Sequence, residues 1–251
     1  MRLPAYYSAL APFRETFLTG APVLTYHHVG PRRPGARLKG LYLSPKLFSR
    51  QIGELAEAGF STPRFDRILS GPSGDGARRQ VFLTFDDAFL DVFEHALPRL
   101  QERRFSGVLF LVSDLLGKTN EWQQRAGDVV ERLMDEGQVR EWLAAGQEIG
   151  SHTRTHPRLT QLSPAAAAEE IGASKKSLED RFGIPIEHFC YPYGDWNEPV
   201  RDRVAAAGYK TACTTQSGIN LPGASPLALK RFTARYPSRN LKAMWRAFFG
   251  T

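Results

Sequence analysis

The sequence predicts an α/β fold built on a mostly parallel sheet, and three observations support this prediction. About seven short apolar runs alternate with longer amphipathic stretches along the chain. Several runs are continuous and rich in β-branched or aromatic residues, as strands buried on both faces tend to be. No glycine-rich dinucleotide-binding fingerprint follows the first run, which favours a barrel over a doubly wound sheet. The predicted strands are Val23–Val29, Val81–Phe85, Gly107–Val112, Glu148–Ser151, His188–Tyr191, Lys210–Thr214 and Leu227–Thr233.

Capping residues mark helix boundaries between the predicted strands. Ser44 precedes a proline, which predicts a helix start, and Gly59 predicts the end of that helix. The Gly/Pro/Arg-rich segment Ser70–Arg79 is predicted to be a loop within the domain. Three further helices are predicted from Ser163 to Gly183, from Asn197 to Gly208 and over Leu241–Phe249.

The composition is that of a folded globular protein and excludes several other classes. Of the 251 residues, 42% are apolar and 24% are charged, unlike a disordered or collagen-like chain. Two cysteines are too few for a disulfide framework or a four-cysteine zinc site. No apolar run approaches the roughly 20 residues that span a bilayer. The basic residues are scattered and do not alternate with aromatic residues, which argues against a nucleic-acid partner.

We expect a lead-in at residues 1–21 and a single barrel domain at residues 22–251. Prolines and charged residues interrupt the lead-in, so it lacks the apolar core of a secretory signal. The sequence therefore predicts a cytoplasmic location. The net charge of +7 fits either an anionic glycan or peripheral association with an anionic membrane face, and the oligomeric state is left open.

Two adjacent carboxylates follow the second predicted strand. The run Val81–Phe85 ends in Asp86 and Asp87, and residues at the carboxyl ends of barrel strands face the active site. Two neighbouring carboxylates can divide the chemistry, since one can bind a metal while the other acts as a base. An Asp-capped turn between a strand and a helix is the structural alternative.

Two histidines follow the fourth predicted strand. His152 and His156 are four residues apart, a spacing that we expect to place both imidazoles on one side of a helical turn. With Asp87 they would form a site of two histidines and one carboxylate, with open positions for water and substrate. Such a donor set can hold catalytic zinc, and also iron, cobalt or nickel.

Three segments together resemble the motifs of the NodB-homology polysaccharide deacetylases. The segment TFDD at residues 84–87 resembles their T-F-D-D motif, and SHTRTH at residues 151–156 resembles their S-H-T-x-x-H motif. The segment FCYPYG at residues 189–194 resembles their third motif. The three occur in the order of the family, and the likeness covers roughly residues 22–236.

The resemblance implies a deformed barrel of seven β/α units and metal-dependent removal of N- or O-acetyl groups from sugars. It implies Asp86 as the general base and Asp87, His152 and His156 as ligands of one divalent metal ion. Zinc is the first choice for this ion, with iron, cobalt or nickel as alternatives. The backbone N–H of Tyr193 would help to hold the oxyanion that forms during acyl transfer.

The sequence departs from the family pattern at three places. The glycine that usually follows the acidic pair is Ala88. The third motif usually has an arginine before its proline, where this chain has Cys190 and Tyr191, so another residue is expected to orient Asp86. The late motif usually supplies a histidine acid, yet no histidine follows the last predicted strand.

The first predicted strand offers a replacement for the missing acid. The segment YHHV at residues 26–29 resembles the Y-H-x-V entry of the branch that deacetylates poly-N-acetylglucosamine, in which the elements are circularly permuted and an early histidine is the acid. We therefore predict His27 as the general acid, with His28 as the second choice. A packed or exposed structural histidine is the alternative.

Substrate contacts are predicted on the rim of the barrel. Trp122 lies between the first two motifs and Trp196 follows the third, so either could stack on a sugar, although both could equally belong to the core. Leu229 would line an acetyl pocket by resemblance to the family, and Tyr191 of the third motif is a further candidate.

The sequence thus predicts a metal-dependent N-deacetylase acting on an N-acetylated polysaccharide, oligosaccharide or lipid-linked glycan. One alternative is a metal-dependent hydrolase of a non-sugar amide or cyclic imide, which could use the same barrel and metal ligands. The other is a non-catalytic carbohydrate-binding homologue.

Overall fold

A computed structural model describes residues 3–69 and 79–236, which form a curled parallel sheet surrounded by helices. The helix predicted at Leu241–Phe249 and nearly all of the predicted loop Ser70–Arg79 lie outside the described residues. The described strands are β1 (Val23–Tyr26), β2 (His28–Val29), β3 (Tyr42–Leu43), β4 (Phe82–Phe85), β5 (Gly107–Leu111), β6 (Glu148–Ser151), β7 (His188–Cys190), β8 (Thr211–Cys213) and β9 (Phe232–Thr233). The described helices are α1 (Arg14–Phe17), α2 (Pro45–Glu57), α3 (Leu90–His95), α4 (Leu97–Arg103), α5 (Glu121–Arg125), α6 (Glu136–Ala144), α7 (Pro164–Phe182) and α8 (Glu198–Ala206).

The main sheet closes on itself through the segment at residues 229–233. Its strand order is β8-β7-β6-β5-β4-β1-β9, and neighbouring strands run parallel. Leu229 forms a bridge to Cys213 of β8, while β9 pairs with Leu24 and Thr25 of β1. Both edges of the sheet therefore meet this segment, and the predicted barrel-like α/β fold is confirmed.

Three of the described helices, α2, α7 and α8, begin at the predicted capping residues. Ser44, Ser163 and Asn197 each accept a hydrogen bond from the backbone N–H three residues later, at 3.2, 3.3 and 3.0 Å. Gly183 ends α7 in the left-handed conformation that glycine adopts without strain. Within the described residues, no helix combines the length and the apolar character that a membrane crossing requires.

The first and last predicted strands are each broken in the structure. The run Val23–Val29 divides at His27, because β1 pairs with β4 whereas β2 leaves the main sheet and pairs with β3. In the run Leu227–Thr233, Leu229 pairs with β8 but β9 pairs with β1. Residues that bond to different neighbours cannot form one continuous ladder, so the expectation of a single strand was wrong in both places.

The barrel interior is apolar in its middle and at its amino-terminal end. The Phe65 N–H donates a hydrogen bond to the Glu148 carboxylate at the start of β6, at 2.8 Å, which places Phe65 at that end. The polar residues of the predicted site remain at the opposite end, where the strands finish. The interior cluster comprises Val23, Phe65, Phe82, Val108, Phe110, Cys190, Cys213 and Leu229.

The predicted lead-in packs against the strand that completes the sheet. Tyr7 forms a parallel bridge to the residue after β9. Phe13 and Phe17 are fully buried, and their rings lie 5.3 and 5.6 Å from the ring of Phe232. These contacts bury apolar surface on β9, while the predicted domain boundary after residue 21 stays a prediction.

Candidate active site

The strand ends bring one carboxylate and two imidazoles together in a buried cluster. Asp87 follows β4, and His152 and His156 follow β6. The Asp87 Oδ1 atom lies 3.4 Å from His152 Nε2 and 3.3 Å from His156 Nε2. All three side chains are at most 5% exposed, so their polar atoms have little access to water.

This cluster fits a divalent metal ion. In a tetrahedral zinc site with zinc–ligand distances of about 2.0–2.1 Å, neighbouring ligand atoms are roughly 3.3 Å apart. The separations between Asp87 and the two imidazoles match that spacing. Asp87 Oδ1 is also buried without a hydrogen-bond partner among the described residues. A cation would satisfy this orphaned oxygen, which otherwise costs free energy.

The two imidazoles converge through an irregular loop, so the expectation of a helical turn was wrong. Thr153 and His156 have φ angles of 69° and 65°, in the left-handed region. The Thr153 Oγ1 atom accepts a hydrogen bond from the His156 N–H at 3.0 Å. Glu170 of α7 accepts hydrogen bonds from the backbone N–H groups of Arg154 and Thr155 at 2.9 and 3.0 Å. These contacts hold the loop against α7.

The surroundings prepare the ligand atoms for a metal. His152 Nδ1 lies 2.7 Å from the Cys190 carbonyl oxygen, and because a carbonyl only accepts, Nδ1 carries a proton and the neutral form of the ring has its lone pair on Nε2. Burial lowers the pKa of His156, which favours the neutral ring that binds metals. Burial alone would raise the pKa of Asp87, but the two histidines outweigh it and hold that pKa well below its ordinary value.

The neighbouring carboxylate, Asp86, is fixed by a buried arginine. Arg231 donates from Nη1 to Asp86 Oδ1 at 2.7 Å and from Nη2 to Oδ2 at 2.8 Å. Its Nε–H donates to the Thr214 carbonyl at 2.9 Å, and the residue is 1% exposed. Burial alone would raise the pKa of Asp86, but the Arg231 guanidinium lowers it below its ordinary value. Asp86 is therefore ionised and held in one orientation.

Sequence reasoning missed Arg231, although it predicted that some residue must orient Asp86. Cys190 stands in the third motif, and its Sγ lies 3.1 Å from Arg231 Nη2 and 3.6 Å from Asp86 Oδ2. Arg231 thus reaches Asp86 from the last strand segment, and Cys190 lies beside both side chains. One signal could have revealed it, because alternation along a strand places Arg231 on the same face as Leu229.

The structure separates the two candidate acids. His27 Nε2 lies 3.7 Å from Asp86 Oδ2, and its side chain is 18% exposed. Burial lowers the pKa of His27, partly offset by Asp86 and Asp87. His28 instead lies 2.9 Å from the Asp91 carboxylate through Nδ1. Only His27 of this pair stands beside the predicted base.

His28 is packed between two aromatic rings. Its ring centroid lies 4.1 Å from that of Tyr42 and 3.6 Å from that of Phe89. The residue is 1% exposed. These contacts are those of a core histidine, as the structural alternative for this pair expected.

Two aromatic rings enclose His156. Trp122 stacks on its imidazole with ring centroids 4.4 Å apart, and Tyr193 meets it edge to face at 4.5 Å. Trp122 is buried, whereas Tyr193 is 43% exposed. Trp122 therefore packs against the ring of this predicted ligand, and Tyr193 presents an accessible ring surface at the rim.

The other three predicted substrate contacts differ in their burial, and their roles stay predictions. Tyr191 is fully buried, and its hydroxyl donates a hydrogen bond to the Leu227 carbonyl at 3.0 Å. Trp196 stacks on Tyr191 and is partly buried against the core. Leu229 lies in the barrel interior and lines a cavity of about 310 Å³ with Ala21 and other residues at the amino-terminal end. Tyr191 and Leu229 are thus buried, whereas Trp196 keeps part of its surface exposed.

Backbone strain is concentrated at the strand ends that form the site. Five of the six described non-glycine residues with positive φ lie there, and such conformations cost about 1–3 kcal/mol each unless surrounding contacts enforce them. Ala88 has a φ of 60°, which a glycine would adopt without strain. The five residues are Asp87, Ala88, Thr153, His156 and Tyr193.

Comparison with known proteins agrees with this geometry. The chain matches the polysaccharide deacetylase family over residues 73–212. It is 25% identical to the YxkH protein of Bacillus subtilis (strain 168) over 199 residues, which are 78% of this chain and 65% of that protein. It is 22% identical over 205 residues to the poly-β-1,6-N-acetyl-D-glucosamine N-deacetylase of Staphylococcus aureus (strain MSSA476), with 77% of this chain and 68% of that protein covered. The chain thus spans about two thirds of the length of these relatives.

A solved structure resembles the fold over nearly its whole length. The Streptococcus pyogenes deacetylase PplD, in complex with acetate, superposes with a TM-score of 0.74 and 26% sequence identity. The match covers 90% of this chain and 98% of PplD. With more than half of its length matched to the family, and with the fold of PplD, this chain belongs to the NodB-homology polysaccharide deacetylases.

Proposed function

We propose that this protein is a metal-dependent deacetylase that removes N-acetyl groups from amino sugars in a polysaccharide, oligosaccharide or lipid-linked glycan and releases acetate. One observation carries the proposal: Asp86, held by Arg231, stands beside the cluster of Asp87, His152 and His156. The staphylococcal relative is named for N-deacetylation of a glycan, and the PplD structure holds acetate. Both relatives support this class of reaction.

Asp87, His152 and His156 would hold the metal ion. Zinc is our first choice for two imidazoles and a carboxylate, and iron, cobalt or nickel would suit the same donors. When bound, such an ion polarises a carbonyl oxygen and lowers the pKa of water. The remaining steps fall to the side chains around it.

Asp86 would act as the general base. Its carboxylate takes a proton from the water that attacks the acetyl carbon, while the two hydrogen bonds from Arg231 keep it oriented. The Tyr193 backbone N–H would donate to the oxyanion that develops on the carbonyl oxygen. A carboxylate of lowered pKa stays ionised at neutral pH, so the base is ready before substrate binds.

His27 would return that proton to the leaving amine. With its lowered pKa the imidazole is neutral at neutral pH, and it lies 3.7 Å from the Asp86 carboxylate. The proton received by Asp86 would pass to His27, because an imidazole is ordinarily a stronger base than a carboxylate. His27 then protonates the amine nitrogen as the C–N bond breaks.

Metal analysis combined with acetate release from N-acetylglucosamine oligomers tests the proposal. We expect about one metal ion per chain, and acetate release that a chelator abolishes and added metal restores. Asp86→Asn should keep the metal and lose about 100- to 10,000-fold in kcat, since a general base supplies that much. Near-normal activity of the metal-loaded variant would refute the assignment of the base.

The two adjacent histidines provide a matched pair of variants. His27→Ala should lower kcat by about 100-fold or more, whereas His28→Asn should stay within a few-fold of the wild type because asparagine can still bond to Asp91. A large loss of kcat in His28→Asn together with a small loss in His27→Ala would show that His28 is the acid.

The same assays separate the alternative functions. Hydrolysis of non-sugar amides or cyclic imides, without acetate release from sugars, would favour the metal-dependent amide or imide hydrolase. Oligomer binding without metal or turnover would favour a non-catalytic homologue.

A further inference from the structure

An exposed arginine lies on the rim beside the metal-ligand cluster. The Arg158 Cζ atom stands 4.3 Å from the centre of the Tyr193 ring. That ring lies 4.5 Å from the ring of His156. Two short contacts therefore connect the guanidinium to a predicted metal ligand, within the span of two linked sugars.

The guanidinium of Arg158 has no acidic partner within the described residues. Arg154, on the same loop, is held by Asp114 at 2.8 Å and by Glu169 at 2.9 Å. No described carboxylate approaches Arg158 to ion-pair distance, and its side chain is exposed. The Tyr193 ring covers one face of the guanidinium and leaves its N–H groups at the edge free for a ligand.

The carboxylate of Asp195 is already engaged by another residue of the rim. Asp195 follows the third motif, and its carboxylate accepts hydrogen bonds from the Thr160 N–H at 2.9 Å and from the Thr160 hydroxyl at 2.8 Å. Asp195 is therefore engaged by Thr160 and is not paired with Arg158, whose N–H groups stay available for a ligand.

The charges near Arg158 favour an anionic ligand over a neutral one. Asp86 is paired with Arg231, and a divalent cation held by Asp87, His152 and His156 would give this cluster a net positive charge. Positive potential in a cleft raises the local concentration of anions. A guanidinium also matches the planar, two-oxygen edge of carboxylate and phosphate groups.

We propose that Arg158, held by Tyr193, selects glycans that carry an anionic group, a carboxylate or a phosphate, on a sugar next to the one that is deacetylated. This inference rests on the proposed deacetylase function and names its substrate class. Arg158 is a specificity residue, because it contacts the substrate away from the reacting atoms.

The test compares three N-acetylglucosamine oligomers of equal length: one neutral, one with a carboxylate and one with a phosphate. We expect the wild type to have about tenfold or higher kcat/KM for at least one anionic oligomer. Arg158→Gln should remove this preference, mainly through KM, and leave the neutral oligomer unchanged. Arg158→Lys should retain part of it, and high salt should weaken it. The carboxylate and phosphate arms identify which anion is selected.

Arg99→Gln is the matched control, since Arg99 is exposed on α4 and pairs with Glu102 at 2.8 Å. Arg99→Gln should leave kcat/KM unchanged for all three oligomers. Equal kcat/KM for neutral and anionic oligomers in the wild type, or an equal loss on both in Arg158→Gln, would overturn the inference. Absence of acetate from every oligomer would instead refute the deacetylase function. In that case, calorimetry of the same oligomers binding to metal-loaded Asp86→Asn would still show whether Arg158 favours the anionic oligomers.

Discussion

At the scale of single residues, Arg231 is the side chain on which the geometry of the proposed base depends. Asp86 is 145 positions away in sequence, yet the two groups form a fully buried, two-pronged ion pair. A buried carboxylate without its partner is strongly destabilising, by about 3–5 kcal/mol in comparable pairs. Arg231 therefore contributes both to the stability of the barrel and to the orientation of the base.

We predict that Arg231→Lys lowers kcat by about 10- to 100-fold with little change in KM. Lysine keeps the charge but cannot form both parallel hydrogen bonds to Asp86. Burial would then dominate and raise the pKa of Asp86, so the acid limb of the pH profile of kcat/KM should move to higher pH. The measurement is kcat/KM from pH 4 to 9. An unchanged acid limb would show that Arg231 serves stability alone.

The metal-ligand candidates could be predicted from the sequence because each follows a predicted strand. Asp87, His152 and His156 belong to short motifs, and strand ends of a parallel barrel converge. Arg231 belongs to no such motif, and its contact depends on where the final segment crosses the sheet. Tyr191 does belong to a motif, but its position in the motif did not reveal that its side chain is buried.

At the scale of elements, most strand positions followed from apolar runs, whereas breaks within the runs did not. The chain turns at His27, between β1 and β2, so that β2 pairs with β3 instead of the main sheet. Apolar periodicity reports burial and not the identity of the neighbouring strand, so it gave one continuous run there. This turn lies at the residue proposed as the acid.

The lead-in is predicted to stabilise the barrel through its aromatic residues. Phe17 is fully buried and contacts Phe13, Phe60 and Phe232. Replacing a core phenylalanine by alanine costs about 3–5 kcal/mol, so Phe17→Ala should lower the free energy of unfolding in urea by that amount. Activity per folded molecule should not change.

Leu221→Ala serves as the comparison for Phe17→Ala, because Leu221 is 54% exposed. Its effect should stay within about 0.5 kcal/mol. Equal unfolding free energies for the wild type and Phe17→Ala would show that the lead-in does not support the fold.

At the scale of the whole molecule, metal binding should couple to stability. The proposed ligands come from two different strand ends, and the unfolded chain does not hold them together. An ion at 1,000 times its Kd stabilises the folded state by about 4 kcal/mol. For a chain of this size we therefore expect a chelator to lower Tm by roughly 10 °C.

Thermal unfolding with chelator, and again after adding zinc, measures this coupling. The Tm of the wild type should fall and then recover. His156→Gln should show a much smaller response, because it removes one of the three ligands. A wild-type Tm that changes neither with chelator nor with zinc would show that Asp87, His152 and His156 do not hold a metal.

Closure of the sheet and completion of the site depend on the same short segment. Residues 229–233 join both edges of the barrel, and Arg231 within them holds Asp86. During synthesis the amino-terminal part of a chain emerges first, so this segment is among the last of the described residues to leave the ribosome. The nascent protein therefore cannot hold the proposed base in its final orientation until the barrel has closed, so the proposed activity would report that folding is finished.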